Sequence, residues 1–143
     1  KIPHSGMAVS SDVGDSLDVH PRSKRPVGHR LAACALFNHY GFAHIVPSGP
    51  LFRSVRFEEG SAWVGFDYSE GLRSADGTPL RTFEVAEFEG EFVEADAVIV
   101  GNEVRVSSPR VKNPHFVRYG WQPFTRTNLV NGAGLPASTF RSE

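Results

Sequence analysis

Apolar residues recur at every second position along much of the chain between Phe52 and Tyr119, and this alternation constrains the fold more than any other feature. Phe52-Arg-Ser-Val-Arg-Phe57, Ala62-Trp-Val-Gly-Phe66, Thr82-Phe-Glu-Val-Ala86, Ala97-Val-Ile-Val100, Val104-Arg-Val106 and Phe116-Val-Arg-Tyr119 each read as a short strand. A period of two sends alternate side chains to opposite faces, so each run buries one face only if a second layer covers it. Glu59-Gly60, Asp76-Gly77, Glu89-Gly90 and Gly101-Asn102 supply turns between the runs. The pattern predicts a small antiparallel β-sandwich, jelly-roll-like, over residues 48–143.

Residues 1–47 follow another rule. Gly6-Met-Ala-Val-Ser10 is long enough for one strand and too short for a helix. A helix is expected from about Ser23 to Tyr40, with Ser23 as cap, Pro26 in the first turn and Gly41 as a left-handed stop. Its apolar face (Val27, Leu31, Cys34, Ala35) calls for a sheet to lie on, and the first fifty residues do not hold enough strands to make one. Strand, loop and helix in this order predict an incomplete α/β unit. The joint Pro47-Ser48-Gly49-Pro50 is short and stiff, so the two parts are expected to pack closely.

Between strand and helix lies the chemical interest. Asp12, Asp15 and Asp18 precede His20 within one loop. Imidazole titrates near neutrality, and an acid beside it can fix its tautomer, which is what a general base requires. An Asp-x-His spacing also suits a histidine that merely satisfies its own loop. The carboxylates recur every third residue, whereas a calcium loop places them every second one, so no metal is expected there. No Cys/His spacing resembles a zinc site, and Cys34 on the helix face reads as a small core residue. Trp63, Tyr68, Tyr119 and Trp121 are candidates for stacking on a sugar, although aromatics in a small sandwich are more often core. The acidic run Glu84–Glu94 reads as a solvated hairpin. The tail from Thr125 has no periodicity, and its Leu129, Leu135, Pro136 and Phe140 are expected to fold back near the His20 loop and shape an entrance there.

With a formal net charge of -1, nothing suggests nucleic acid, and no apolar run approaches the roughly 20 residues of a membrane span. The single cysteine excludes an internal disulfide. The opening Lys-Ile-Pro-His-Ser has neither an initiator Met nor a signal peptide, so the chain reads as part of something longer.

Gly-Met-Ala-Val (6 to 9), Gly14-Asp15, Asp18-Val-His20-Pro21, Lys24, Val27-Gly28 and Arg30-Leu31-Ala32 resemble the C-terminal catalytic block of sialate O-acetylesterases, which are SGNH (GDSL-like) hydrolases. The likeness continues through Tyr40-Gly41, Ser48-Gly49-Pro50, Asp76-Gly77, Val117-Arg-Tyr-Gly-Trp121, Asn128-Leu129, Gly134-Leu-Pro-Ala-Ser138 and Phe140-Arg141. It implies that residues 1–47 are the C-terminal segment of a flavodoxin-like SGNH domain and that 48–143 form a separate β-sandwich. It further implies a serine esterase that removes O-acetyl groups from sialic acid or a related sugar, without a cofactor and often outside the cytoplasm. His20 is then the base, and Asp18 the orienting acid, with Asp15 in reserve because Leu17 stands where the wider SGNH set has its acid. The family's nucleophilic serine and oxyanion blocks lie upstream of the matched region, so the expected partner is an N-terminal part of the same enzyme. The alternatives are a non-catalytic β-sandwich that binds carbohydrate or protein, and an esterase acting on a polysaccharide such as acetylated xylan.

Overall fold

The computed structural model describes residues 5–20 and 22–143; His4 and Pro21 lie outside them. Among the described residues there are one helix, α1 (Arg25–Asn38), and ten strands: β1 (Leu51–Glu58), β2 (Ser61–Asp67), β3 (Arg73–Ser74), β4 (Phe83–Ala86), β5 (Val93–Glu94), β6 (Asp96–Val100), β7 (Glu103–Ser107), β8 (Phe116–Tyr119), β9 (Leu129–Val130) and β10 (Phe140–Arg141). No described helix is long and apolar enough to cross a membrane.

The strands form two four-stranded sheets, ordered β1-β2-β7-β6 and β10-β8-β4-β5, and a small ribbon, β3-β9. Every pairing is antiparallel. Ala62, Val64 and Phe66 of β2 with Val104 and Val106 of β7 give one face of the core, and Phe83, Val85, Val117, Tyr119 and Phe140 give the other. This is the period of two at work: on β7 the residues between, Glu103, Arg105 and Ser107, remain outside the buried set. Phe140 is the centre of an aromatic cluster, stacked on Phe52 at 4.6 Å and edge-on to Phe66 at 5.8 Å and Phe83 at 6.4 Å. Such pairs contribute about 0.5–1.5 kcal/mol each beyond the area they bury. Tyr119 is fully buried against Phe83, and its hydroxyl oxygen accepts the Leu129 N–H at 3.0 Å, which ties β9 to the core. Burial pushes the Tyr119 phenol up to about 12.

The expected α/β segment is overturned. A flavodoxin-like unit needs parallel strands joined by crossover helices. Residues 6–10 form no strand, because a strand requires a neighbour to bond with and these residues have none among those described. What remains is α1 alone, in a molecule that is otherwise antiparallel sheet. Nor do the strands wind as a jelly roll. Sequence neighbours β1 and β2, and again β6 and β7, pair as hairpins within one sheet. The helix begins at Arg25 with Lys24 at its cap position and no side-chain cap, so Ser23 does not serve as expected; Pro26 sits in the first turn and Gly41 turns left-handed at φ +73°. Cys34 is its buried residue and donates to the Pro47 carbonyl at 3.0 Å, while Leu31 is 51% exposed.

The joint between helix and sheets is locked by the tail. A Cβ on Gly49 would lie 2.0 Å from the Pro136 carbonyl oxygen, so no larger residue fits there without moving backbone. Ser138 N–H donates to the Pro50 carbonyl at 2.9 Å, and the buried Asn131 amide donates to Ser48 and Tyr68 carbonyls at 3.1 and 3.2 Å. The tail therefore divides its apolar groups. Leu129 and Phe140 enter the sheet core through β9 and β10, while Thr125, Ser138 and Thr139 of the same tail lie beside the loop that leads to His20. The acidic run is likewise more than a solvated hairpin: Glu84 holds Arg118 in a two-pronged ion pair (2.8 and 3.0 Å), and that guanidinium lies 4.0 Å over Phe92. Asp76 is a second polar node, accepting from the Thr78 hydroxyl, the Asn128 amide and the Ser74 hydroxyl, which together hold its carboxyl well below the usual carboxylate range.

Candidate functional site

The loop from Ser10 to His20 is tied to α1 near its start. Arg30, on α1, donates to both Asp12 oxygens at 2.7 and 2.6 Å and to the Val9 carbonyl at 2.7 Å. A two-pronged guanidinium–carboxylate pair fixes orientation as well as distance. Beyond it the loop turns on its own acids. Asp15 Oδ1 accepts the Leu17 N–H at 2.9 Å, and Asp18 Oδ1 accepts the His20 N–H at 2.8 Å. Both are side chains bonding their own backbone two residues on, the local geometry for which aspartate is suited. The same Asp18 oxygen lies 3.2 Å from His20 Nδ1. The three carboxylates thus go to three different partners, and no group of three metal-ligating residues is found among the described residues.

The His20 ring is 83% exposed and the Asp18 carboxylate 51%. An exposed pair of this kind contributes little to stability, about 0–1 kcal/mol. Leu17 and Val19, on either side, are 97% and 89% exposed. Chemically, a carboxylate on Nδ1 leaves Nε2 as the free acceptor, the arrangement of a general base oriented by an acid. Asp15, the reserve acid, bonds backbone and not the ring.

Ser10 and Ser11 sit close to this loop, yet neither stands on a strand-to-helix turn. Ser11 Oγ is 3.4 Å from Thr127 Oγ1. Among the described residues no serine hydroxyl bonds to His20. Of the candidate stacking aromatics, Tyr119 is core, Trp63 lies under the Arg56 guanidinium at 4.8 Å, and Tyr68 and Trp121 are half-exposed.

A cleft of about 600 Å³ opens beside the loop. Gly14, Asp15, Asp18 and Val19 line one side, and Gln122, Phe124, Thr125 and Thr139 the other. The far side is carried by the chain leaving β8. There Gly120 (φ +63°) and Thr82 (φ +63°) are both left-handed, joined by a 3.0 Å bond from Gly120 N–H to the Thr82 carbonyl. For a β-branched residue such as Thr82 that conformation costs on the order of 1–3 kcal/mol. A Cβ on Gly120 would come within 2.8 Å of the Thr127 methyl and 2.9 Å of the Thr139 methyl. Thr125 Oγ1 is buried without a protein partner. Local sequence reasoning finds Asp18 and His20 because they are two residues apart. It misses Arg30, whose only signal is an opposite charge in the same block, and it misses Gln122 to Thr125, for which there is no local signal.

Neither a protein-family model nor a curated protein matches this chain. Among solved structures, the fold is similar to that of a carbohydrate acetylesterase from Xanthomonas citri, with a TM-score of 0.87 and 40% sequence identity over 92% of this chain and 31% of that one. The chain spans about a third of the length of the solved protein it matches.

Proposed function

We propose that this chain is the C-terminal part of a serine carbohydrate O-acetylesterase, to which it supplies the catalytic base His20 and its orienting acid Asp18. The observation that carries this reading is the 3.2 Å contact between Asp18 and His20 Nδ1 on an otherwise uncovered ring. Likeness to a carbohydrate acetylesterase adds independent support. In the proposed reaction a serine from the remainder of the enzyme attacks the acetyl carbonyl. His20 Nε2 takes the serine proton and returns it to the departing sugar oxygen, and water then releases acetate from the acyl-serine by the same route in reverse. Asp18 holds the imidazole in the tautomer that leaves Nε2 free. Residues 1–47 belong with the serine-bearing part of the enzyme, outside the cytoplasm, and 48–143 form the β-unit beside it. The sequence resemblance leaves the sugar as sialic acid or a related one.

The test is acetate release from p-nitrophenyl acetate by the full-length enzyme and by the isolated 143 residues. His20→Ala should cost the full-length enzyme about 10⁴-fold or more in kcat, and the isolated chain should show no turnover. Asp18→Asn should cost more than Asp15→Asn. Unchanged activity in His20→Ala would overturn the reading.

A further inference from the structure

We propose that the cleft between the Asp15–Asp18 turn and the segment 120–125 is the sugar subsite, and that it is built for a neutral pyranose and not for a sialate. The proposal rests on the acetylesterase reading and adds to it the chemical class of the substrate. Three observations carry it.

The first is charge. The described residues lining the cleft include two carboxylates, Asp15 and Asp18, and neither lysine nor arginine. A sialic acid brings its own carboxylate, which would meet like charge here with no cation to receive it. A neutral ring has only hydroxyls to place. The second is composition. Phe124, 39% exposed, offers an apolar face to a sugar ring, and Gln122 and Thr139 offer hydrogen-bonding groups around it. A few polar groups on an apolar support is the usual make-up of a small-ligand site, and about 600 Å³ is within the usual size range.

The third is rigidity. The segment is pinned at one end by left-handed Gly120, just after β8, whose N–H donates to the carbonyl of left-handed Thr82 before β4, and at the other by the Ser11–Thr127 contact. Phe124 also reaches the opposite wall, with its Cε2 atom 3.8 Å from where a Cβ on Gly14 would lie. The β-unit thus carries a fixed side wall to the loop that bears His20, and a loop held by a scaffold is where recognition residues are expected. In this arrangement Phe124 and Gln122 set which sugar is presented to His20.

The experiment uses the full-length enzyme and three esters: p-nitrophenyl acetate, partially acetylated xylotriose, and 9-O-acetyl-N-acetylneuraminic acid. The wild type should prefer the xylotriose ester to the sialate ester in kcat/KM. Phe124→Ala should lower the ratio of kcat/KM on xylotriose ester to that on p-nitrophenyl acetate about tenfold, mainly through KM, and Gln122→Ala by a few-fold. Phe88→Ala, exposed and away from the cleft, serves as the control and should leave the ratio alone. Thermal melting confirms that each variant is folded; should Phe124→Ala not fold, the Gln122→Ala ratio decides. Preference for the sialate ester, or a ratio unmoved in folded variants, overturns the subsite while the acetylesterase reading stands. Failure of the wild type on all three esters, by contrast, removes that reading and the subsite with it.

Discussion

Phe140 and Leu17 are both large apolar side chains near an end of the chain, yet one is 7% exposed and the other 97%. The difference runs through the whole molecule. After Pro50 most large apolar groups find neighbours within the chain, and the two sheets close over one core. Before it, Met7, Leu17, Val19, Leu31, Tyr40 and Phe42 all lie at the surface. The two regions obey the same physics with different outcomes: the sheets have a second layer, and the helix with its loop has none among the described residues. That is what a segment completing a larger fold would look like, in keeping with the function proposed for it.

Three measurements on the isolated chain would break or sharpen this contrast. The largest effect is expected at Phe140→Ala, which empties the centre of the aromatic cluster and should cost about 3–5 kcal/mol in denaturant unfolding. A loss below about 1 kcal/mol would mean that the core is not where the stability lies. Next is the alkaline limb. The Tyr119 phenol is raised from 10.0 to about 12 by burial, so the folded state favours its neutral form. The associated stability is complete below pH 10 and is lost as pH climbs towards 12, up to about 2–3 kcal/mol. Melting temperatures between pH 9 and 12 should fall more steeply in wild type than in Tyr119→Phe. The smallest effect is expected at Leu31→Ser, within about 0.5 kcal/mol, because that side chain is already half in water. A loss rivalling that of Phe140→Ala would erase the distinction between the regions.

How much of this was legible in the sequence follows the same line. The six alternating runs were readable because each strand buries one face, and burial of one face writes itself as a period of two. The ribbon β3-β9, with β5 and β10, was not readable. Two residues cannot carry a period, and these strands exist only because a distant partner lies alongside, as Tyr119 does for Phe140. The helix was announced by Pro26 and Gly41, its start only to within two residues, since no side chain caps it. The strand expected at residues 6–10 failed because an apolar run specifies a wish for burial and says nothing of who provides it. Asp18 and His20 could be paired on paper since their contact is local. Phe124 and Gln122 reach the same loop from a hundred positions away, by way of a sheet.

The close approach of Gly49 to Pro136 has a wider implication. A boundary between residues 47 and 48 looks on paper like a place to cut, graft or shuffle, yet the last stretch of the chain is seated across it. Lineages that trade modules at such joints would have to exchange the far terminus together with the linker. Protein engineers who swap this β-unit onto another protein should expect the same: the piece that travels must include both the hinge and the strap that closes over it.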